Sequence, residues 1–449
     1  MIACIFVGLS IPGCRGFDPG PAKPPAEPVT GTLRVGTSGD YPPFSHWRSG
    51  DVEPVGFSVD VARAYATGRG RSVEWVRFRW PELTGDLERH RFDLVLSGVT
   101  VRADRSVAGR FSLPLTTSGA VALVEGSSDL RTPSDLERPG LQLAVNAGGH
   151  LERVARTLLA EARIHPVDRN ENVLGHLGRS GIEAVMTDTL EAPIWRSKRP
   201  GLRVIGPLTR DRKAAWFPKA SATEIRRFDD WLIRAEAEGL LADLRRTHGL
   251  PEARTADLPR ALLAALDERL SLMTGVARAK RTLGAAVEDP TRERRVLDSA
   301  SAAVRRAAVR NGIPAPQDGA IRRLYRAQIE AAKWIQRNWL DSRNPGAATA
   351  NTAAQTSAQA NLDESLRPAL IFLGDRIATL IVRTTDDRLS NLVYEDIAAA
   401  LTRHGLPEAH LHALHEALAG IATHDRSPPP SKSRRPSNAH DAEAGIPTS

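Results

Sequence analysis

Cysteine is nearly absent from this 449-residue chain, and its two copies, Cys4 and Cys14, lie close to the N-terminus. The rest of the sequence therefore excludes disulfide bonds and thiolate metal sites. No apolar run reaches the roughly 18 residues that a membrane-spanning helix needs. The net charge is +8, but no basic block with interleaved aromatic residues is present, so no nucleic-acid partner is predicted. The positive charge instead favours small acidic molecules as ligands.

The apolar run at residues 2–11 is too short to span a bilayer and resembles the hydrophobic part of an export signal. Ile11-Pro-Gly-Cys14 is similar to the cleavage site of bacterial lipoproteins, with Cys14 as the lipidated residue. The alternative is an unremarkable apolar N-terminus. We predict an exported, periplasmic protein in which residues 1–30 are signal and linker, and a lipid anchor at Cys14 stays open.

Two hydrophobic patterns divide the remaining chain. Between residues 31 and 250, short apolar runs alternate with amphipathic segments, which predicts an α/β fold with mostly parallel sheets. Residues 256–423 show apolar residues at helical spacing only, which predicts a separate all-α domain. The charged, Pro/Ser-rich segment 424–449 is predicted to be a disordered tail. These patterns do not decide between a monomer and a homo-oligomer.

A glycine pair and a lone carboxyl group supply the first candidate site. Asn146-Ala-Gly-Gly149 opens a predicted helix at His150, and backbone N–H groups at such a turn can hold a carboxylate. Glu191 follows a short apolar strand, and an acid near an anion-binding turn can protonate a leaving hydroxyl. Taken alone, a Glu after a strand is more often a surface or hinge residue. His150 can either donate to a carboxylate or cap the helix.

Several longer segments share a family resemblance. They are Leu33–Ser45, Gly56–Asp60, Arg91–Thr100, Arg105, Trp80-Pro81, Asn146–Gly149 with Glu152, and Thr187–Ala192. These segments resemble the type 2 periplasmic solute-binding proteins and, among them, the cyclohexadienyl dehydratases. The resemblance implies two α/β lobes that close over a ligand, with lobe one at 31–121 and 214–250 and lobe two between them. It also implies conversion of prephenate to phenylpyruvate, and of arogenate to phenylalanine.

The same resemblance implies roles for single residues. Glu191 matches the general acid and Arg105 the carboxylate-binding arginine; the other implied substrate-binding residues are Tyr41, Trp80, Ser97, Thr100, Asn146, Gly148, Gly149 and His150. Burial in a closed cleft would raise the pKa of Glu191 and keep it protonated near neutral pH. Two departures from the family pattern are Ala120, where Lys is common, and His150-Leu151, where Thr-Asn is common. From residue types alone, Tyr41 and Trp80 can be core residues and Arg105 part of a surface ion pair.

The helical region carries a second resemblance, from residue 258 to residue 423. Its segments are Glu268-Arg-Leu, Lys280, Val287–Glu293, Gln328–Lys333, Gln336 and Leu366-Arg367-Pro. They resemble the exported, all-helical chorismate mutases, which form prephenate without a nucleophile or a metal. The resemblance implies that Arg269, Arg292 and Arg367 hold carboxylates, while Lys280 and Gln336 donate to the ether oxygen. A spacing of eleven residues predicts that Arg269 and Lys280 share one helix face, although such a face is usually a solvated surface.

We interpret the chain as a bifunctional enzyme of phenylalanine biosynthesis, because the product of one domain is the substrate of the other. The alternative is a non-catalytic amino-acid or solute receptor fused to an active mutase, which Ala120 favours and Glu191 opposes. No cofactor is predicted. His410, His412 and His415 lie near one another in the sequence, but no carboxylate-rich pocket accompanies them, so no metal is predicted.

Overall fold

The computed structural model describes residues 31–422, except Ser49, Ala253, 343–351 and Thr385. The predicted export signal, Cys14 and the predicted tail lie outside the described residues. The strands are β1 (Thr32–Thr37), β2 (Asp40–Tyr41), β3 (Ser45–His46), β4 (Ser72–Arg77), β5 (Leu94–Val95), β6 (Arg110–Ser118), β7 (Ala120–Val124), β8 (Gln142–Asn146), β9 (Arg163–Val167), β10 (Ala184–Asp188), β11 (Arg203–Ile205) and β12 (Asp211–Phe217).

Helices cover both lobes of the α/β region and form the rest of the described chain. In the α/β region they are α1 (Phe57–Thr67), α2 (Leu83–Glu88), α3 (Ala103–Ala108), α4 (His150–Leu158), α5 (Asn170–Val173), α6 (Ala192–Lys198), α7 (Ala222–Ala237) and α8 (Leu240–Thr247). Beyond it they are α9 (Leu258–Ser271), α10 (Met273–Leu283), α11 (Pro290–Asn311), α12 (Asp318–Asp341), α13 (Thr352–Asn361), α14 (Arg367–Arg383), α15 (Asp386–Ser390), α16 (Tyr394–Leu401) and α17 (Glu408–Ala422). No helix of the described residues combines the length and the apolar character that crossing a membrane requires.

Two five-stranded sheets form the two lobes. The strand order is β4-β1-β5-β12-β6 in lobe one and β11-β7-β10-β8-β9 in lobe two. In lobe one β1 runs parallel to β4 and β5, whereas β12 runs antiparallel to β5 and β6. In lobe two β8 runs parallel to β9 and β10, whereas β7 runs antiparallel to β10 and β11. The predicted two-lobed fold is confirmed, but the prediction of mostly parallel sheets is wrong, because the strands next to the lobe crossings, β12 and β7, pair antiparallel with both neighbours. The apolar strands β7 and β10 are buried along their whole length, as expected for a sheet covered on both faces.

The chain passes between the lobes twice, and the two crossings touch. The first follows β6 at Gly119, and the second follows β11 near Thr209. A Cβ atom at Gly119 would lie only 2.3 Å from the carbonyl oxygen of Thr209, so only glycine fits this approach. The crossings therefore lie side by side, as a hinge between two closing lobes requires.

Three predicted helical features differ in the structure. The amphipathic pattern of residues 222–246 predicts one long helix, but the structure divides it between α7 and α8 at Gly239, whose φ of +86° a continuous helix does not allow. The Ala/Thr/Gln-rich composition of residues 345–361 predicts a connection between helices, but residues 352–361 form α13. Arg269 and Lys280 do not share one uninterrupted helix, because the Leu272 amide bonds the Arg269 carbonyl three residues back and ends α9 there.

The helical region packs against lobe one. One apolar cluster extends without a break from the core of lobe one into α9, α12 and α14. Polar contacts cross the same boundary, and they are Ser106 with Glu268 at 2.8 Å, Arg376 with Asp229 at 3.0 Å, Arg212 with Asp267, and Arg383 with Asp230. These interdomain contacts hold the helices to the lobe that contributes Arg105.

Candidate active sites

A cavity lies between the two lobes. Seven residues proposed from the sequence line it, and they are Tyr41, Trp80, Thr100, Arg105, Asn146, Gly149 and His150. The other lining residues are Gly98, Leu151, Asn170 and Lys213. The structure therefore brings the predicted aromatic wall, arginine and glycine turn to one place, and it adds an amide and a lysine that the sequence did not indicate.

Arg105 is a buried cation at this cavity. It lies in the short helix α3 with 3% of its surface exposed, and its Nη1 donates to the Thr100 carbonyl at 3.3 Å. Among the described residues, its Nε has no partner and no carboxylate pairs with its guanidinium. Burial and, after it, the positive charge of Arg102 lower its pKa to about 9, against the opposing charge of Asp104, so Arg105 stays charged at neutral pH. A buried cation is costly without an anion, and a ligand carboxylate would supply one.

Lys213 is a candidate functional residue that was not predicted from the sequence. Its side chain is buried, and Nζ lies 3.0 Å from Thr100 Oγ1, 3.1 Å from the Tyr41 hydroxyl and 3.1 Å from Asp188 Oδ2. Ala120, where the family commonly has Lys, is buried in the core of lobe two. A cation therefore reaches the cavity from β12, where a register shift just after Lys213 marks a bulge, a feature that re-aims side chains. The sequence contained one signal for this position, a lysine directly before the apolar run 214–217. A lysine in a buried strand needs a partner, because unpaired lysines are rarely buried.

Glu191 stands just behind the cavity wall as the residue that precedes α6. Its side chain is 1% exposed, Oε1 accepts from Asn170 Nδ2 at 2.7 Å, and Oε2 accepts from Thr187 Oγ1 at 2.6 Å. Burial raises its pKa to about 8; the Thr187 bond opposes this rise, and the nearby charge of Asp188 adds to it. Glu191 is therefore protonated at neutral pH, as the sequence analysis expected. Glu191 does not line the cavity itself. Asn170 lines the cavity and donates to Glu191, so Asn170 is the side chain that connects Glu191 to a ligand.

Two predicted substrate-binding residues have structural roles instead. Ser97 is fully buried and its hydroxyl is engaged by Ser38 at 2.9 Å and Ser45 at 2.8 Å, so it fixes loops of lobe one rather than facing the cavity. The Gly148 amide donates to Glu152 Oε2 at 2.7 Å and is not free for a ligand carboxylate. At φ +69°, a Cβ on Gly148 would lie 2.7 Å from Pro81 Cγ, so glycine is needed where the lobes meet. Gly149 and the first turn of α4 remain at the cavity.

The His150 side chain reaches across to lobe one. Its Nε2 lies 2.9 Å from Asp211 Oδ2, and the residue before α4, Gly149, has no side chain to cap the helix. Burial lowers the pKa of His150, which keeps the imidazole neutral at pH 7, although the Asp211 carboxylate opposes the shift. Burial alone would raise the pKa of Asp211, but contact with His150 and the charge of Lys213 more than offset this and lower it. His150 thus presents its ring to the cavity and is not a helix cap.

The helical region gathers three of the predicted mutase cations. Lys280 Nζ donates to the Val287 carbonyl at 2.9 Å; its pKa is lowered first by burial and then by the charge of Arg292. The pKa of Arg367 is lowered by burial and by the same Arg292 charge. Asp289 caps α11 by accepting from the Arg292 amide at 2.9 Å, which sets the start of the helix that carries this arginine. Lys280, Arg292 and Arg367 are therefore neighbours, and we call them the cation cluster; Arg367 also pairs with Asp363.

The other two predicted mutase residues lie on neighbouring helices. Arg269 Nη1 donates to the Leu370 carbonyl at 3.2 Å, and burial lowers its pKa. Gln336 is buried, its Nε2 donates to the Ala332 carbonyl at 3.1 Å, and its Oε1 has no partner among the described residues. Gln328 is 2% exposed, and neither of its amide atoms has a partner within the described chain. An unsatisfied buried amide is unusual, so Gln328 joins the candidate ligand-binding residues, a role that was not predicted from the sequence.

Comparison with known proteins separates the two regions. Residues 33–251 match the family of bacterial extracellular solute-binding proteins, family 3, and residues 252–337 match chorismate mutase type II. The chain is 33% identical over 217 residues to the cyclohexadienyl dehydratase of Pseudomonas aeruginosa, a match that covers 47% of this chain and 80% of that protein. It is 27% identical over 218 residues to an L-cystine-binding protein of Escherichia coli, covering 48% and 81%. A solved ancestral amino-acid-binding protein, described as a precursor of cyclohexadienyl dehydratase, is 27% identical with a TM-score of 0.46, covering 48% and 95%.

Proposed function

Because the chain belongs to the bacterial extracellular solute-binding protein family that includes cyclohexadienyl dehydratase, and continues into a chorismate mutase type II region, we propose that it is a bifunctional enzyme of phenylalanine biosynthesis. Residues 256–423 rearrange chorismate to prephenate, and residues 31–250 convert prephenate to phenylpyruvate. The observation that carries this proposal is the buried, protonated Glu191 behind a cavity that holds two buried cations, Arg105 and Lys213.

In the dehydratase reaction, prephenate loses its ring carboxylate as carbon dioxide and its ring hydroxyl as water. The electron pair of the breaking C–C bond makes the ring aromatic as the C–O bond breaks, and one proton must reach the departing oxygen. Glu191 supplies that proton. We place the hydroxyl beside Glu191 Oε1, where the Asn170 amide now donates. Arg105 and Lys213 hold the two carboxylates, and Tyr41 and Trp80 enclose the ring.

In the mutase reaction, a C–O bond of chorismate breaks while a C–C bond forms, with no proton transfer and no covalent intermediate. The protein needs to hold a dianion in a compact shape and stabilise negative charge on the ether oxygen. The cation cluster and Arg269 supply the positive charge, and Gln336 offers a donor whose charge does not change with pH. This reaction needs no metal or other cofactor.

The rival function is a solute receptor fused to the mutase, since an L-cystine-binding protein is among the relatives. A receptor has no need of a protonated acid behind its ligand cavity. The decisive assay supplies purified protein with chorismate and follows phenylpyruvate by its absorbance. The dehydratase predicts phenylpyruvate at a rate well above the spontaneous breakdown of prephenate. Accumulation of prephenate alone would favour the receptor.

We also propose that the protein acts outside the cytoplasm, because the matched family is extracellular. Cys14 would anchor it to a membrane if the cleavage site after Gly13 is used. Cell fractionation of the wild type and a Cys14→Ser variant tests both parts. Release of the variant from the membrane fraction, with export retained, would support lipidation.

A further inference from the structure

The lining of the interlobe cavity is one-sided in charge. It contains the cations Arg105 and Lys213, and of the described residues that line it none is Asp or Glu. Acidic side chains are close by, but they stand behind the lining. Whether any of them could accept a hydrogen bond from a ligand depends on how many of their oxygens the protein already occupies.

Asp188 is the carboxylate closest to the buried lysine, and the protein occupies both of its oxygens. Oδ1 accepts from the Leu190 and Glu191 amides, each at 3.0 Å. Oδ2 accepts from the Tyr41 hydroxyl and lies 3.1 Å from Lys213 Nζ. The carboxylate is fully buried. A ligand ammonium could use Asp188 only by displacing the ammonium of Lys213.

The other acidic side chains around the cavity also accept hydrogen bonds from the protein, through both oxygens at Glu191 but through one oxygen each at Asp211 and Asp40. Glu191 accepts from Asn170 and Thr187. Asp211 Oδ2 accepts from Thr209 Oγ1 at 2.7 Å and faces His150. Asp40, which is partly exposed, accepts from the indole of Trp80 at 3.3 Å. Every carboxylate near the cavity therefore has a donor from the protein, while Arg105 has no carboxylate partner among the described residues.

We propose that this site selects ligands whose charged groups are all negative and rejects ligands that carry an ammonium group, with Lys213 as the specificity-determining residue. The inference deepens the proposed function, on which it rests for its choice of substrates. Prephenate and arogenate share two carboxylates and a ring hydroxyl, and they differ where a keto oxygen is replaced by an ammonium group. The ammonium of arogenate would enter a cavity that already holds two cations, lose its hydration and meet no carboxylate among the lining residues. The same reasoning excludes free α-amino acids.

The test compares kcat/KM for prephenate and arogenate in the wild type and in Lys213→Met. We expect the wild type to favour prephenate by about 10-fold or more, equivalent to about 1.4 kcal/mol or more. Removing the lysine frees Asp188 Oδ2, so the preference should fall by about 10-fold or more. In a Lys213→Met/Asp188→Asn double variant arogenate use should drop again. Lys219→Gln, at an exposed lysine just beyond the same strand, is the matched control and should keep the wild-type ratio. Equal use of both substrates by the wild type, or an unchanged ratio in Lys213→Met, overturns the proposal.

A binding measurement separates this inference from the proposed function. Calorimetry in the Glu191→Gln background, where turnover is blocked, compares prephenate with arogenate and L-cystine. If the wild type dehydrates neither substrate, the proposed function fails, yet tight binding of prephenate with weak binding of both amino acids would still support the selectivity. Binding of an amino acid as tightly as prephenate, or no binding of prephenate, overturns it. Because the wild-type preference needs no variant, a folding defect in the Lys213 variants leaves that comparison intact.

Discussion

Replacement of Glu191 by Gln should have opposite effects on activity and on stability. Gln keeps the size and can still accept from Asn170, but it has no acidic proton to give to the departing hydroxyl. We expect prephenate dehydration to fall about 100-fold or more. Prephenate should then accumulate from chorismate, because the cation cluster and Arg269 are untouched. At high pH the same variant should be more stable than the wild type.

The gain in stability follows from the raised pKa of Glu191. Its ordinary value is 4.5, and burial raises it to about 8 in the folded protein. Between these values the native state keeps a proton that the unfolded state has lost, so the contribution of this group to stability is present below pH 4.5 and is lost as pH rises through 8. At about 1.36 kcal/mol per pKa unit, the full span amounts to about 5 kcal/mol, which is an upper bound. Gln does not titrate and escapes this loss.

The measurement is urea unfolding of both proteins at pH 5, 7 and 9, combined with dehydratase rates over the same range. The stability difference should grow by a few kcal/mol in favour of Gln between pH 5 and pH 9. Wild-type dehydration should decline as pH rises through about 8, while chorismate rearrangement, which relies on the neutral Gln336, stays flatter. A pH-independent difference in stability would show that Glu191 is not a buried acid. Full dehydratase activity in the variant, corrected for acid breakdown of prephenate, would reject its role as proton donor.

Three further substitutions separate the sites from the scaffold. Arg292→Ala should lower chorismate consumption about 100-fold, since a charge-assisted contact is lost; prephenate dehydration should persist, and simultaneous loss of both in a folded protein would contradict two independent sites. Arg105→Gln should raise the KM for prephenate about 100-fold and leave rearrangement of chorismate unchanged, as steady-state kinetics with each substrate would reveal. Asp267→Asn should cost about 3–5 kcal/mol of stability in thermal or urea unfolding, because Arg212 and Arg403 would lose a buried partner. Burial would raise the pKa of Asp267, but Arg403 and its other partners lower it to about 2, so this stabilisation should disappear as pH falls from 3.8 towards 2.

The interlobe site shows what sequence can and cannot predict. Arg105 and Glu191 were predicted because each lies in a local motif that resembles a family pattern. The engagement of the Gly148 amide by Glu152 is a contact over four residues, and the spacing alone could have indicated it. Lys213 belongs to a different class, because its position at the cavity depends on β12 pairing between β5 and β6, far from Ala120 in the sequence. Comparison of single positions with the family pattern therefore finds no lysine at Ala120. In the folded protein, Lys213 on β12 brings a positive charge to the cavity instead.

The neighbours of Arg105 and Lys213 in the sequence show how the lobes can close although the helical region is attached to one of them. Arg105 is followed by Ser106, which bonds Glu268, and Lys213 is preceded by Arg212, which pairs with Asp267. Adjacent residues on a strand point to opposite sides, so β12 can present Lys213 to the ligand and Arg212 to the helices. The ion pairs between the helices and the α/β region that are described above all fall on lobe one, which makes lobe one and the helices a single support for these cations. Lobe two, which contributes Asn170 and Glu191, can then close against that support without breaking an interdomain ion pair.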